Sequence, residues 1–93
     1  MYLRVTRGRF DPSRIDEVNK VTPDLVAAVG RLPGFQSYVT GVDRASGRTV
    51  AVSTWDTEEH ARPLEALGNL ISRLQALGLQ LEPSEFFEVL GQA

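Results

Sequence analysis

Apolar and polar residues alternate from Tyr2 to Phe10, in a stretch rich in β-formers, and this predicts a first strand. Asp11-Pro12 follows as an N-cap with proline at the first helical position. Ile15, Val18, Val21, Leu25, Val29 and Leu32 then recur at three- and four-residue steps, which marks one apolar helical stripe. Pro23 falls inside the stripe and removes a backbone donor, so a kink is expected there, or a restart with Thr22 as a fresh cap. Leu32-Pro33-Gly34 stops the helix. Phe35 to Asp43 and Arg48 to Trp55 read as two strands, and the short polar turn Arg44-Ala45-Ser46-Gly47 makes them an antiparallel hairpin.

Asp56-Thr57-Glu58-Glu59 opens a second helix, with Asp56 and Glu59 at capping-box spacing and acids in the first turn. Its stripe is Leu64, Leu67, Leu70, Ile71, Leu74 and Leu77. Pro63 is expected to divide the helix, and Gly78 to end it. Glu85 to Leu90 reads as the closing strand. The order β-α-β-β-α-β predicts an α+β, ferredoxin-like fold, a four-stranded antiparallel sheet with two helices on one face. With no repeat, linker or low-complexity segment, residues 1–93 are expected to form one domain.

The strands are not cleanly one-sided. By alternation, Phe35, Val39 and Gly41 share one face and Tyr38 and Val42 the other. Val50 and Val52 oppose Ala51 and Trp55, and the adjacent Phe86 and Phe87 must point to opposite faces. Two helices cover only one face, so a second copy of the chain, offering the same patch, is the simplest cover for the other.

Composition narrows the chemistry. A formal net charge of −2 argues against a phosphate-backbone binder, and the basic-aromatic strand signature of RNA-recognition domains is missing. No cysteine is present, which removes disulfides and thiolate chemistry; with one histidine and scattered carboxylates, no metal site is expected. The N-terminus has no apolar signal-peptide core, and no run approaches the ~20 apolar residues of a membrane span, so a cytoplasmic location is the expectation. There is no phosphate-binding glycine loop and no nucleophile elbow.

Three fragments arrive in order: Leu32-Pro33-Gly34-Phe35-Gln36-Ser37-Tyr38, Asp43-Arg44-Ala45-Ser46-Gly47-Arg48 and Ser53-Thr54-Trp55-Asp56-Thr57-Glu58-Glu59-His60-Ala61. Together they make the chain resemble the antibiotic biosynthesis monooxygenase group of the dimeric α+β barrel superfamily, over nearly its whole length. The most specific piece is the strand-end tryptophan followed by a capped Glu-Glu-His-Ala helix start. The resemblance implies a homodimer whose two sheets pack face to face around a central cavity. It further implies cofactor-free oxygenation of quinols or anthrone-like polyketides as one activity of such proteins and haem degradation as another. The haem-degrading members use an asparagine on strand one, and none stands between Tyr2 and Phe10.

Five residues are candidates for a site. Histidine is the side-chain type that ionises nearest neutral pH, so His60, the lone histidine, is the candidate base, with solvated surface at the helix start as the alternative; Tyr38 either orients a phenol or enolate oxygen or packs across the strands. Trp55 corresponds to the family's strand-end tryptophan: either it lines the cavity, packing on a flat substrate with its indole N–H as a donor, or it is core or interface packing at the strand-to-helix junction. Arg4 and Asn69 are the candidate substrate-binding side chains, Asn69 as a polar break in the leucine-rich second helix; a solvated or ion-paired tip for Arg4 and an outward-facing Asn69 are the alternatives. The expected function is binding of a small, flat, hydrophobic molecule, with cofactor-independent monooxygenation as the reaction. The alternatives are a non-catalytic ligand-binding or structural homodimer, and an amino-acid-binding regulatory domain of the same strand order.

Overall fold

The computed structural model describes residues 1–62 and 67–93. Strand β1 spans Tyr2–Arg9 and leads through a 3₁₀ turn, Pro12–Arg14, into helix α1, Ile15–Val29. Then come β2 (Phe35–Val42), β3 (Arg48–Trp55), α2 (Glu58–Ala61), α3 (Gly68–Ala76), β4 (Gln80–Leu81) and β5 (Glu85–Glu88). The sheet runs β2-β3-β1, with β4 and β5 both on the free edge of β1 and every pairing antiparallel. This is the ferredoxin-like order expected, with the closing strand in two pieces. Pro83 explains the division. The Glu82 N–H still donates to the Arg7 carbonyl at 2.9 Å, but proline has no N–H to continue the ladder, and pairing resumes at Glu85 opposite Val5.

Asp11 caps the 3₁₀ turn as its sequence position suggests, accepting from the Ser13 N–H at 2.9 Å. In α1, Ile15, Val18, Val21 and Val29 are buried. The expected restart at Thr22 does not occur: α1 is one helix through Pro23, and the Thr22 hydroxyl donates to the Val18 carbonyl at 3.1 Å instead of capping. The apolar stripe continues on both sides of the proline and packs on one core, which holds the helix together where the missing donor would break it. The cap of α2 is Thr57, accepting from the His60 N–H at 3.1 Å, one residue later than expected, because the Asp56 carboxylate is occupied by the His60 ring. Pro63 and Leu64, expected to divide the second helix and begin its stripe, lie outside the described residues.

The β2–β3 turn is tied at both ends. Gly47 N–H donates to the Asp43 carbonyl and Phe10 N–H to the Gly47 carbonyl, each at 2.8 Å. Gly47 has φ +78, and a Cβ there would run into the Phe10 carbonyl, so glycine is required twice over.

Two apolar clusters fill the space between helices and sheet. Phe10, Val18, Val21, Leu74 and Leu79 form one; Val29, Trp55, Ala61 and Leu67 form the other. Register sorts the strands as alternation predicts for most positions. Arg4, Ser53 and Tyr38 lie side by side across β1, β3 and β2 on the helix side, as do Thr6, Ala51 and Thr40. Leu3, Val5, Val39, Val50, Val52 and Phe87 fall on the opposite, open face. Phe35 is the exception. A bulge between Phe35 and Ser37 turns its ring to the helix side, where it meets Trp55 edge-to-face at 5.8 Å between centroids. No helix of the described residues is long and apolar enough to cross a membrane.

Candidate functional site

A mostly apolar cavity of about 660 Å³ lies within the chain, between the sheet and helices α1 and α3. This cavity belongs to the single chain, on the helix side of the sheet, and needs no second copy to form it. One short polar side chain on each of β1, β2 and β3 explains this. Thr6, Thr40 and Ser53 are too small to fill the layer that Val18, Leu25 and Ile71 roof over. The volume falls in the range of small-molecule sites, roughly 300–1,000 Å³.

Arg4 is the most heavily engaged side chain in the wall. Its Nη1 donates to the carbonyls of Ala61 (3.1 Å) and Arg62 (2.9 Å), at the C-terminal end of α2. Nη2 donates to Ser84 Oγ at 3.0 Å, and Nε reaches Thr6 Oγ1 at 3.4 Å. The helix end offers orphan carbonyls and partial negative charge, which the planar guanidinium fork suits. Its charge also stacks against the Phe86 ring, 5.6 Å from the centroid, while Arg62 covers the same ring at 4.5 Å. Burial lowers the pKa of Arg4, with Tyr38 opposing the shift, and a guanidinium remains a cation throughout.

Tyr38 also lines the cavity. Burial raises its phenol pKa, with the Thr40 hydroxyl and the Arg4 charge pulling the other way. It is therefore a neutral O–H donor at physiological pH. Trp55 forms part of the wall but is only 1% exposed, and its indole N–H donates to Ser53 Oγ at 2.8 Å. The N–H expected to reach a ligand is thus already committed inside the protein.

The two remaining candidates lie elsewhere. His60 is half-exposed and does not line the cavity; its Nδ1 is 2.6 Å from Asp56 Oδ1, beside Gly34 at the start of β2. That hydrogen bond is the main reason the Asp56 pKa lies below the usual carboxylate value. An acid partner one helical turn away follows from (i, i+4) spacing, but helix phase directs the pair to the surface. Asn69 is exposed on the outer side of α3 and is not a lining residue; Asn19 of α1 lines the cavity in its place. Among the described residues no group of three His, Cys, Asp or Glu side chains could hold a metal ion.

Sequence reasoning passed over Thr6, Ser53 and Ser84. Thr6 and Ser53 were within reach, being two residues from Arg4 and from Trp55 on the same strand faces. Ser84 carried no signal, since it follows Pro83 in what reads as a loop.

Neither a protein-family model nor a curated protein matches this sequence. Solved structures do resemble the chain in fold. A candidate antibiotic biosynthesis monooxygenase from Deinococcus radiodurans superposes with a TM-score of 0.79 at 16% identity, covering 100% of this chain and 95% of that one. HapK from Hahella chejuensis gives 0.80 at 15% identity over 100% and 96%. SnoaB from Streptomyces nogalater, described as a cofactor-independent oxygenase, gives 0.74 at 21% identity over 98% and 94%. The chain has the ferredoxin-like α+β fold of these proteins, as the sequence fragments led us to expect.

Proposed function

We propose that this protein binds a flat, largely apolar molecule bearing an acidic hydroxyl in the cavity between its helices and sheet, and oxygenates it without a cofactor. The observation that carries this is the character of the wall: an apolar roof facing a strand floor on which a desolvated cation, Arg4, and a neutral phenol, Tyr38, stand close together. Such a pair stabilises an anionic oxygen more than a neutral one. A phenol or quinol held there ionises more readily than in water. Its carbanion form can then pass an electron to dioxygen and combine with the reduced oxygen to give a hydroperoxide. Loss of water leaves a carbonyl, so that one CH₂ group and O₂ become one C=O group and H₂O, and the substrate itself is the reductant. The protein contributes desolvation, orientation and electrostatic stabilisation. The similarity in fold to SnoaB favours this chemistry among those a dry cavity could support.

In this reading Tyr38 donates to the substrate oxygen, Trp55 forms one apolar wall and Arg4 supplies the field. His60, paired with Asp56 away from the cavity, has no catalytic part. The open face of the sheet, with Val39 66% exposed beside Val50 and with Phe87 47% exposed, is proposed to pair with a second copy of the chain.

Oxygen uptake by the purified, metal-free protein against quinols, anthrones and flavonols tests the reaction. Uptake that saturates with substrate, scales with protein and persists in His60→Ala is expected. Loss of uptake in His60→Ala would return the base to that residue. Quenching of Trp55 fluorescence by these compounds with no uptake would favour a ligand-binding protein, a reading already helped by the lack of an imidazole in the cavity wall among the described residues.

A further inference from the structure

The polar corner of the cavity contains a hydrogen-bond arrangement that can be counted donor by donor. Thr6 Oγ1 and Ser84 Oγ are 2.7 Å apart, and both line the cavity. Arg4 donates to each of them, through Nε to Thr6 and through Nη2 to Ser84. A hydroxyl has one proton to give and two lone pairs to receive with. The two hydroxyls therefore hold two protons between them, and one is spent on the bond that joins them. Arg4 cannot accept the other, because a guanidinium has no acceptor. The second proton has no acceptor among the described residues, and the space in front of the pair is the cavity.

We infer that the Thr6–Ser84 hydroxyl pair, polarised from behind by Arg4, is the subsite that receives the acidic oxygen of the ligand and so selects hydroxylated aromatic molecules over their unsubstituted analogues. The inference rests on the cavity being the ligand site, as proposed above, and adds the residues that read the ligand. Three of Arg4's contacts, to Ala61, Arg62 and Ser84, hold the guanidinium in place, so its charge is transmitted to the ligand through two hydroxyls. Chains of this kind strengthen the terminal donor, since each bond polarises the next. Arg4 is a positioning residue in this scheme, while Thr6 and Ser84 make the contact. A ligand with no oxygen at this corner leaves the free hydroxyl proton unpaired in a desolvated site, which costs binding.

The single tryptophan, Trp55, in the cavity wall supplies the readout. Binding of 1,8-dihydroxyanthracene and of unsubstituted anthracene is titrated by quenching of its fluorescence, in the full chain and in Thr6→Val and Ser84→Ala. The native protein is expected to prefer the dihydroxy compound by about tenfold or more, and each variant to lose most of that preference. Affinity for anthracene itself, which has no oxygen for the pair to reach, should stay within about twofold, which serves as the measure of an intact cavity. An undiminished preference in both variants, with both compounds still bound, overturns the subsite and leaves the cavity reading standing. Failure of both compounds to quench the native protein overturns the cavity reading and the subsite together.

Discussion

At the scale of single residues, the wall of the cavity sets two groups against their solution chemistry. Tyr38 is the more informative because its pKa moves upward, and the sign has a consequence for stability. A phenol whose folded pKa exceeds the ordinary value of about 10 favours the folded state fully below that value, and the favour is lost as pH rises through the folded pKa. Stability should therefore decline more steeply in the native chain than in Tyr38→Phe over the interval from about pH 9 to about pH 11. Urea midpoints of the two proteins across that interval measure it; parallel curves would mean that the phenol is not desolvated. Alternation alone put Arg4 and Tyr38 on definite strand faces, and register makes those faces the same one. Alternation could not say that Arg4 spends its donors on the end of α2, since Ala61 and Arg62 are 57 and 58 residues away in sequence. His60 attracted a catalytic reading by its chemistry. Its phase on a one-turn helix, fixed by Thr57 and Asp56, directs it elsewhere.

Elements were legible wherever a periodic stripe was long enough to outvote local exceptions. The α1 stripe was clear from sequence, and its burial explains why Pro23 fails to divide the helix. The proline remains a liability there: it leaves the Asn19 carbonyl without its intrahelical donor and is intrinsically about 3 kcal/mol worse than alanine in a helix interior. Part of that is offset, because proline also restricts the unfolded chain by about 1 kcal/mol. Pro23→Ala should thus stabilise the protein by about 1–2 kcal/mol, read as a higher denaturation midpoint at unchanged slope. A lower midpoint would show that α1 is built around the proline and that its removal disturbs the cavity wall at Asn19 and Thr22. The elements that sequence did not reveal are the ones fixed by pairing alone. A two-residue strand at Gln80–Leu81 has no period to detect, and the bulge ahead of Ser37 shows only once β2 is laid against Trp55 and Thr54.

For the whole molecule, the two faces of the sheet have divided labour. One builds the cavity with short polar side chains among apolar ones; the other presents valines and Phe87 with no helix over them. An isolated antiparallel sheet would show a polar outer face, so Val39 at 66% exposure beside Val50 and Val52 calls for a cover. Several of the polar groups on that face are paired within the chain. Ser37 and Thr54 hydrogen-bond to each other across β2 and β3, and Arg7 pairs with Glu85. Burying the apolar part of that face against an identical one leaves these pairs intact, and the apolar surface can supply the driving force. A small chain gains particularly from such burial, because a large share of its surface stays exposed when it folds alone. Val39→Glu places a charge at the centre of the patch, and two-fold symmetry makes it occur twice in every dimer. Sedimentation of the native chain should show a dimer, and the variant should dissociate with a Kd raised by about 100-fold or more. The cavity lies on the other side of the sheet, so ligand quenching of Trp55 should survive in the variant. A native chain that sediments as a monomer at tens of micromolar would refute the pairing, and a variant that loses both dimer and ligand binding would show that the two faces are coupled.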